Sequence, residues 1–252
     1  MERQLNFGII GMNEGNGHPF SYAAIFNGYE ADHLKARCPF PLIRDYLPKE
    51  HRNEVHIAGA TVSHVWCQTK ALAEDISAVA KIPFVVSDKE EMIGEVDGII
   101  IARDDPENHL ELARPFLGTD IPLFFDKLLS DQEKESAEIL KCLGPNQRIM
   151  TGSGARYSSN VVAAKKARGL KDVKSVHGVS RVSWQRYGSH LLDPITEIFG
   201  YGITRVRALS SKSDHDIVQV EYENGLNVIL ECIENTHLPI GFRWFSDTSS
   251  AV

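Results

Sequence analysis

Residues 8–20, GIIGMNEGNGHPF, join an apolar run to a helical pattern through a turn that contains Gly11, Gly15 and Gly17. Glycines let backbone N–H groups approach an anion, and the first turn of a helix adds partial positive charge worth about 0.3–1 kcal/mol. The chemistry that this pattern supports is the binding of a diphosphate. The spacing is GxxxGxG instead of the usual GxGxxG fingerprint, so a plain tight turn is the alternative interpretation.

A dinucleotide site also needs a partner for the ribose hydroxyls, ordinarily a carboxylate after the second strand. Glu30 and Asp32 stand at about the expected distance from the glycines, but in a segment that is not a strand end. The second predicted strand ends at Trp66, and the stretch CQTK that follows it contains no carboxylate. Thr69 and Lys70 in this stretch either favour the 2′-phosphate of NADP or begin the next helix.

Four stretches occur in an order that is informative as a set. They are GIIGMNEGNGHPF, DDPENH from Asp104 to His109, FFDKLL from Phe124 to Leu129, and YGSHLLDP from Tyr187 to Pro194. Their order and spacing resemble the glucose–fructose oxidoreductase / inositol dehydrogenase (Gfo/Idh/MocA) family. The resemblance implies an N-terminal Rossmann domain, a C-terminal domain with a largely antiparallel sheet, and nicotinamide-dependent hydride transfer at a carbon of a sugar or cyclitol. It covers nearly all of the N-terminal half and the C-terminal half more loosely.

The resemblance implies roles for residues of the first half. Asp126-Lys127-Leu128 is similar to the family's Glu-Lys-Pro motif, whose lysine contacts the reacting hydroxyl and the cofactor ribose. Lys127 is therefore the first candidate catalytic residue, and the alternative is a lysine that caps a strand at the surface. The candidate cofactor-binding residues are Gly11, Gly15, Gly17, His18, Asp105, Asn108, His109 and Asp126. For His109, the closing of a turn is an equal alternative.

His190 matches the histidine of the family's Asp-x-x-x-His pattern, which takes a proton as hydride leaves the same carbon. A neutral imidazole, with an ordinary pKa near 6.5, suits that task. His190 is the second candidate catalytic residue, with a structural histidine as the alternative. Arg186 replaces the family's aspartate and would lower the basicity of the ring. The candidate substrate residues, each with a structural alternative, are Arg156, Tyr157, Arg186 and Asp193.

The first half of the chain alternates between short apolar runs and helical stretches. The predicted strands are NFGII, ATVSHVW, FVV, VDGIIIA and IPLFF, and the predicted helices are PFSYAAIFNGY, KALAEDISAVAKI, KEEMIGEV and NHLELARPFL. Strands that are apolar throughout and separated by helices indicate a doubly wound parallel sheet, a Rossmann fold of the α/β class. Residues 30–59 contain three prolines and interrupt this order. They predict an inserted loop or lid, or an ordinary surface excursion.

After Lys127 the pattern changes to two helices, DQEKESAEILKCL and SNVVAAKKARG, and then to β-rich sequence from Val173. The strands DIVQVEY and LNVILECI are separated by Glu223-Asn224-Gly225, and Asn-Gly is a strong hairpin signal. We therefore predict two domains, a dinucleotide-binding domain over 1–127 and an α+β domain with a mainly antiparallel sheet over 128–252. The second domain, for substrate binding and oligomerisation, is short for the family.

Composition limits the classes of partner. A net charge of −7 without a basic run argues against a nucleic-acid surface, and no stretch approaches the roughly 20 apolar residues of a membrane span. The four cysteines form no CxxC pair, which predicts reduced thiols in a cytoplasmic protein. Neither the SDHD stretch, residues 213–216, nor His51 and His56 has the surroundings of a metal site. No metal is predicted.

These observations support three functions. The leading hypothesis is an oxidoreductase that uses NAD or NADP to act on a sugar, polyol or related hydroxy compound. Its partners would be the small-molecule substrate and further copies of the chain, as a dimer or tetramer. The alternative is a catalytically degenerate binding or regulatory homologue on the same scaffold, which Arg186 and Leu128 favour. A structural partner protein that binds no nucleotide is the third possibility.

Overall fold

The computed structural model describes residues 3–50, 57–167, 172–237, 239–246 and 250–251. The chain divides into two compact units between Thr151 and Gly152. The first holds a parallel sheet covered by helices, and the second holds a mixed, mostly antiparallel sheet, which confirms the predicted fold class. Among the described residues, no helix combines the length and the apolar character needed to cross a membrane.

The first unit is a six-stranded sheet in the order β3-β2-β1-β4-β5-β6, with every pair of neighbours parallel. Its strands are β1 (Leu5–Ile10), β2 (Ala60–Trp66), β3 (Phe84–Val85), β4 (Gly98–Ile101), β5 (Leu123–Phe125) and β6 (Ile149–Thr151). Its helices are α1 (His18–Asn27), α2 (Ala31–Arg37), α3 (Pro41–Glu50), α4 (Lys70–Ala80), α5 (His109–Ala113) and α6 (Glu133–Lys141). The strand order reverses direction at β1 and β4, so the carboxyl ends of these two strands form the crevice where doubly wound sheets bind ligands.

Both faces of this sheet are buried, which explains why its strands are apolar throughout. Ile9 and Ile10 are both fully buried, yet they belong to different hydrophobic clusters because successive side chains of a strand point to opposite faces. Phe20 and Ile76 fill the cluster with Ile9, and Phe116 fills the cluster with Ile10. The predicted helix KEEMIGEV is only a short 3-10 turn, Lys89–Met92.

Two helices stand where the sequence predicts a loop or lid. Residues 31–37 and 41–50 form α2 and α3, and the apolar side chains of Leu34, Ile43 and Leu47 are buried in the first hydrophobic cluster. Of the prolines that suggested a loop, Pro41 begins α3, where its missing N–H costs nothing. Pro48 lies inside α3 and removes an intrahelical hydrogen bond, a cost that the burial of Ile43 and Leu47 offsets. His51 and His56 lie outside the described residues.

The second unit is a six-stranded sheet in the order β12-β11-β7-β10-β9-β8, in which β7 and β10 form the single parallel pair. Its strands are β7 (Val173–Ser180), β8 (Ile203–Lys212), β9 (His215–Tyr222), β10 (Asn227–Ile233), β11 (Gly241–Ser246) and β12 (Ser250–Ala251), and its helices are α7 (Ser159–Lys166) and α8 (Trp184–Phe199). The predicted hairpin joins β9 to β10, with Gly225 at φ +84°.

Helix α8 is absent from the sequence-based prediction, in which the whole region from Val173 is β-rich. Gly188 and Pro194 lie inside this helix and weaken its helical pattern. The helix forms because Leu191 and Ile195, one turn apart, are buried in the core of the second sheet.

The boundary between the units also differs from the predicted one. The prediction ends the first domain at residue 127, but β6 pairs with β5 and α6 packs against α5, so residues 128–151 complete the first unit. The division therefore lies at Thr151/Gly152.

Asn27 at the end of α1 holds the helical layer against the sheet. Its amide nitrogen donates to the carbonyl oxygens of Val62 in β2 and Ala80 in α4, at 2.8 and 2.9 Å. Its amide oxygen accepts from the hydroxyl of Thr61 at 2.7 Å and from the backbone N–H of Val62 at 2.8 Å. All four hydrogen bonds that an asparagine side chain can make are thus formed in a buried position.

We expect Asn27→Ala to lower the free energy of unfolding by about 1–3 kcal/mol, because backbone groups of β2 and α4 lose their buried partner. Urea denaturation followed by circular dichroism measures the change. Replacement of the exposed Asn146 by alanine serves as the control and should stay within about 0.5 kcal/mol of the wild type. Equal stability of the two variants would contradict the stabilising role of the Asn27 hydrogen bonds.

Candidate active site

The glycine turn lies at the carboxyl end of β1, where the strand order of the first sheet reverses. Gly11 and Gly17 are buried, and a Cβ atom on Gly11 would lie 2.4 Å from Cγ of Pro19, while one on Gly17 would lie 2.2 Å from Cδ1 of Ile43. Gly15 is exposed and has φ +79°, which favours glycine. Packing therefore accounts for Gly11 and Gly17, and backbone conformation accounts for Gly15.

The turn presents a row of N–H groups. Among the residues that the structure describes, the amides of Asn13, Glu14, Gly15 and Gly17 have no hydrogen-bond acceptor. The side chain of Asn16 accepts from the N–H of His18 at 2.8 Å and so closes the first turn of α1 itself. The groups that can bind an anion therefore belong mainly to the turn that precedes α1. The free amides of this turn fit a diphosphate.

Gln68 stands where the ribose-binding carboxylate was sought, directly beyond β2. Its side chain accepts from the N–H of Met12 at 3.1 Å and donates to the carbonyl oxygen of the same residue, so it holds the glycine turn in place. Thr69 caps α4 by accepting from Leu72, which supports the interpretation that it begins a helix. The ends of β2 and β3 line a cavity of about 260 Å³, formed by Trp66, Cys67, Gln68, Lys70, Val85, Val86 and Ser87.

A buried carboxylate, Asp126, joins α1 to the end of β5. Its side chain is 2% exposed, and it accepts hydrogen bonds from Nδ1 of His18, from the hydroxyl of Tyr22 at 3.2 Å and from the N–H of Lys127 at 2.9 Å. Burial raises the pKa of Asp126, but the hydrogen bond and charge of His18 and the charge of Lys127 outweigh it and leave the pKa below its ordinary value. Burial and the charge of Asp126 raise the pKa of Tyr22 well above its ordinary value.

Lys127 is buried at the same sheet edge, with 8% of its side chain exposed, which argues against a surface cap. Its ammonium lies 3.5 Å from Oδ2 of Asp104, and Asp104 in turn accepts from the side-chain amide of Asn13 at 2.7 Å. An unbroken chain of polar contacts therefore links the glycine turn to Lys127. The Lys127–Leu128 peptide bond, at the position of the family's Lys-Pro bond, is cis.

The turn after β4 holds its own backbone together. Asp105 binds the guanidinium of Arg103 and the amide of Asn108; burial raises the pKa of Asp105, but these partners bring it below its ordinary value. His109 is fully buried, and its ring nitrogens lie 2.8 Å from the carbonyl oxygen of Arg103 and 3.0 Å from that of Leu129. His109 thus closes a turn, and its burial speaks against the predicted contact with a cofactor.

In the second unit, a serine contacts the ring of His190. Nδ1 of His190 forms a hydrogen bond with the buried hydroxyl of Ser153, and Oδ2 of Asp193 accepts from the backbone N–H of Ser153. Asp193 therefore supports the serine that contacts the His190 ring. Arg186, at the position of the family's aspartate one turn before His190, is exposed.

The remaining substrate candidates differ in their surroundings. Arg156 donates to the carboxylate of Glu197 at 2.7 Å and to the hydroxyl of Tyr201 at 3.1 Å, which ties the start of the second unit to α8. Tyr157 is exposed and lies beside the guanidinium of Arg156. The contacts of Arg156 favour its structural alternative.

Sequence reasoning missed Asn16, Gln68, Asp104 and Ser153. Asp104 adjoins the predicted Asp105, and Asn16 lies inside the glycine stretch, so residue type marked the right segments. It did not reveal which member of each segment faces the site. The residues in the described ranges contain no cluster of histidine, cysteine, aspartate or glutamate arranged to hold a metal ion.

Comparison with known proteins finds structural likeness without sequence likeness. No family model matches the chain, and no curated protein sequence matches it. Solved structures do match. A scyllo-inositol dehydrogenase from Lactobacillus casei with bound NAD(H) and scyllo-inositol superposes with a TM-score of 0.71 at 12% identity, over 99% of this chain and 76% of that one.

Two further structures match over similar shares of the chains. A myo-inositol 2-dehydrogenase from Lactobacillus plantarum gives a TM-score of 0.67 at 16% identity, over 99% of this chain and 76% of that one. An oxidoreductase from Agrobacterium radiobacter in complex with NAD+, L-tartaric acid and magnesium gives 0.69 at 12% identity, over 96% and 72%. These likenesses confirm the fold that the sequence resemblance implies.

We expect Asp126→Asn to lower the free energy of unfolding by about 2–3 kcal/mol at pH 7, because charge-assisted hydrogen bonds from His18 and Lys127 are lost. The folded pKa of Asp126 is lowered, so the ionised group stabilises the fold above its unfolded pKa of about 3.9 and loses this effect as pH falls through the folded pKa. Urea denaturation at pH 7, 5, 4 and 3 should show the difference shrinking below about pH 4.

The exposed Asp131, replaced by asparagine, is the matched control and should change stability little at any of these pH values. A stability difference for Asp126→Asn that persists unchanged at pH 3 would show that lost packing, and not lost charge, is responsible.

Proposed function

We propose that the chain is an NAD(P)-dependent oxidoreductase of the Gfo/Idh/MocA family that acts on a sugar, polyol or related hydroxy compound. The observation that carries this proposal is the buried ammonium of Lys127, held by Asp104 beside a turn whose amides are free for an anion. A buried lysine linked to a diphosphate-binding turn serves a reaction in which an oxygen atom of the substrate must be polarised close to a dinucleotide.

The residues present fit a nicotinamide dinucleotide. The free amides of Asn13, Glu14, Gly15 and Gly17 would bind its diphosphate, and the cavity at the ends of β2 and β3 offers space next to that turn for its adenosine half. When bound, such a cofactor supplies a hydride acceptor or donor. Gln68 at the end of β2 carries no charge that would repel a 2′-phosphate, so NAD and NADP both remain candidates.

Lys127 has the role of polarising the substrate oxygen, because an ammonium stabilises the negative charge that develops on it. Asp104 holds that ammonium at the sheet edge. A likeness to dehydrogenases of scyllo- and myo-inositol supports a hydroxyl-bearing ring or chain as the substrate class. The sequence resemblance assigns the proton transfer to His190, whose ring Ser153 orients.

The alternative function, a binding or regulatory homologue that has lost chemistry, is favoured by one observation. His190 has a serine partner, and the position of its expected aspartate is taken by the exposed Arg186. Thermal shift with NAD, NADH, NADP and NADPH tests nucleotide binding, and a hydride-transfer screen against polyols tests catalysis. Binding without turnover selects the alternative, and no binding removes both functions.

We expect Lys127→Ala to bind the nucleotide within about threefold of the wild type but to reduce kcat about 100-fold or more, as the loss of an oxyanion-stabilising group does. Isothermal titration and initial-rate kinetics with a substrate found in the screen measure the two effects. The exposed Lys134, replaced by alanine, is the control and should keep full turnover. Unchanged turnover of Lys127→Ala would remove this residue from the reaction.

We also propose that the protein is cytoplasmic and forms a homo-oligomer, a dimer or tetramer. Strand β8 ends the second sheet, and Val206 and Leu209 on it are 60% and 54% exposed. A long edge strand with exposed apolar side chains is a site for association. Light scattering after gel filtration should give a particle mass that is a multiple of 28.1 kDa. The substitution Val206→Lys should lower this mass. A monomer at micromolar concentration would contradict the proposal.

A further inference from the structure

The carboxylate–histidine pair that the sequence resemblance places around His190 occurs elsewhere in the molecule. Asp126, buried at the end of β5, accepts a hydrogen bond from Nδ1 of His18 in the first turn of α1. The ring of His18 stacks on that of Tyr22, with centroids 5.0 Å apart and 15° between the planes. Two independent contacts thus fix the orientation of the His18 ring.

The other edge of this ring is available. The side chain of His18 is 34% exposed, and among the residues that the structure describes its Nε2 has no partner. A carboxylate that accepts from Nδ1–H holds a neutral histidine in the tautomer whose Nε2 is a proton acceptor. The arrangement therefore presents a base of fixed orientation at the surface of the first unit.

The position of this base is next to the group that would polarise the substrate. Lys127 directly follows Asp126, and the hydroxyl of Tyr22 binds the second oxygen of the same carboxylate. Tyr22 also packs edge-on against Phe124 of β5. In a doubly wound sheet of this strand order, the end of β5 belongs to the half of the crevice opposite to the adenosine side. His18 thus lies on the side of the crevice where the proposed hydride transfer would take place.

We propose that His18, oriented by Asp126, and not His190 accepts the proton that the substrate hydroxyl releases on oxidation. This inference rests on the proposed function. The substrate loses a hydride, with the electron pair of its C–H bond, to the oxidised nicotinamide, and a proton from its O–H bond to Nε2 of His18. A carbonyl compound, a reduced nicotinamide and an imidazolium result, and the negative charge of Asp126 stabilises the imidazolium.

The first test requires no cofactor. In protein labelled with ¹⁵N-histidine at pH 8, long-range ¹H–¹⁵N correlation spectra report which ring nitrogen carries the proton, and His18→Asn identifies the His18 signals. The expected result is a proton on Nδ1 and a bare Nε2. A proton on Nε2 would overturn the proposal, whatever the protein's activity proves to be.

The second test separates proton transfer from positioning. In His18→Asn the side-chain amide takes the place of Nδ1–H and keeps the hydrogen bond to Asp126, but the acceptor at Nε2 is lost. We expect nucleotide affinity within threefold of the wild type, a fall in kcat of about 100-fold or more, and loss of the decline of kcat at acidic pH. Added imidazole should raise the kcat of His18→Ala at least tenfold.

Turnover of His18→Asn within fivefold of the wild type would assign His18 a positioning role and overturn the proposal, as would a failure of imidazole to restore His18→Ala. The exposed His33, replaced by asparagine, is the control for histidine loss and should keep full activity. If the wild type and His33→Asn both bind nucleotide yet transfer no hydride, the proposed function fails. If both are active and His18→Asn is equally active, only the inference about His18 fails.

Discussion

Much of the first unit is arranged around the burial of one negative charge at the carboxyl edge of a parallel sheet. An ionised carboxylate loses several kcal/mol of hydration on burial unless donors replace the water. Asp126 obtains its donors from the His18 and Tyr22 side chains of α1, from the side-chain amide of Asn16 in the glycine turn and from the backbone N–H of Lys127. The requirement ties the start of α1 to the end of β5, and the glycine turn between β1 and α1 is held by that tie.

The positive charge next to this carboxylate is balanced in the same local manner. Lys127 is paired with Asp104 and Arg103 with Asp105, so the crevice at β4 and β5 holds matched charges. Each pair also binds a residue of another segment, and Asn13 links the Lys127–Asp104 pair to the glycine turn. An anion bound by the turn would therefore act on Asn13 and, through Asp104, on the lysine, although no side chain of the turn itself is basic.

The sequence predicted those parts of the molecule that depend on local pattern. Runs such as VDGIIIA and IPLFF are apolar because both sheet faces are covered, and the Asn-Gly turn between β9 and β10 follows from backbone conformation alone. Helix α8 escaped prediction because tertiary packing of Leu191 and Ile195 outweighs the glycine and proline within it. Helices α2 and α3 also escaped prediction, and they are stabilised by the packing of Leu34, Ile43 and Leu47 in the first hydrophobic cluster.

The sequence predicted which segments form the candidate site, but not which side chains of these segments contact each other. The Asp-Lys pair at 126–127 was identified through its similarity to the family's Glu-Lys-Pro motif, and the apolar strand before it indicated its place at the sheet edge. The contacts of Asn13 with Asp104 and of His18 with Asp126 join residues about 100 positions apart. Such contacts depend on how far each turn extends beyond its strand, which no short-range pattern encodes. Ser153 was missed for the same reason, because its partner His190 lies on the unpredicted helix α8.

The close packing around two glycines has a consequence for how such chains diverge. Gly11 lies against Pro19, and Gly17 lies against Ile43, so a larger residue at either place would disturb the fold itself. Selection for a stable protein would preserve both glycines in a descendant that no longer used any nucleotide. Among relatives of this chain, the persistence of those two positions measures the need to fold, whereas drift at His18 or Lys127 would mark the lineages in which the proposed catalysis was abandoned.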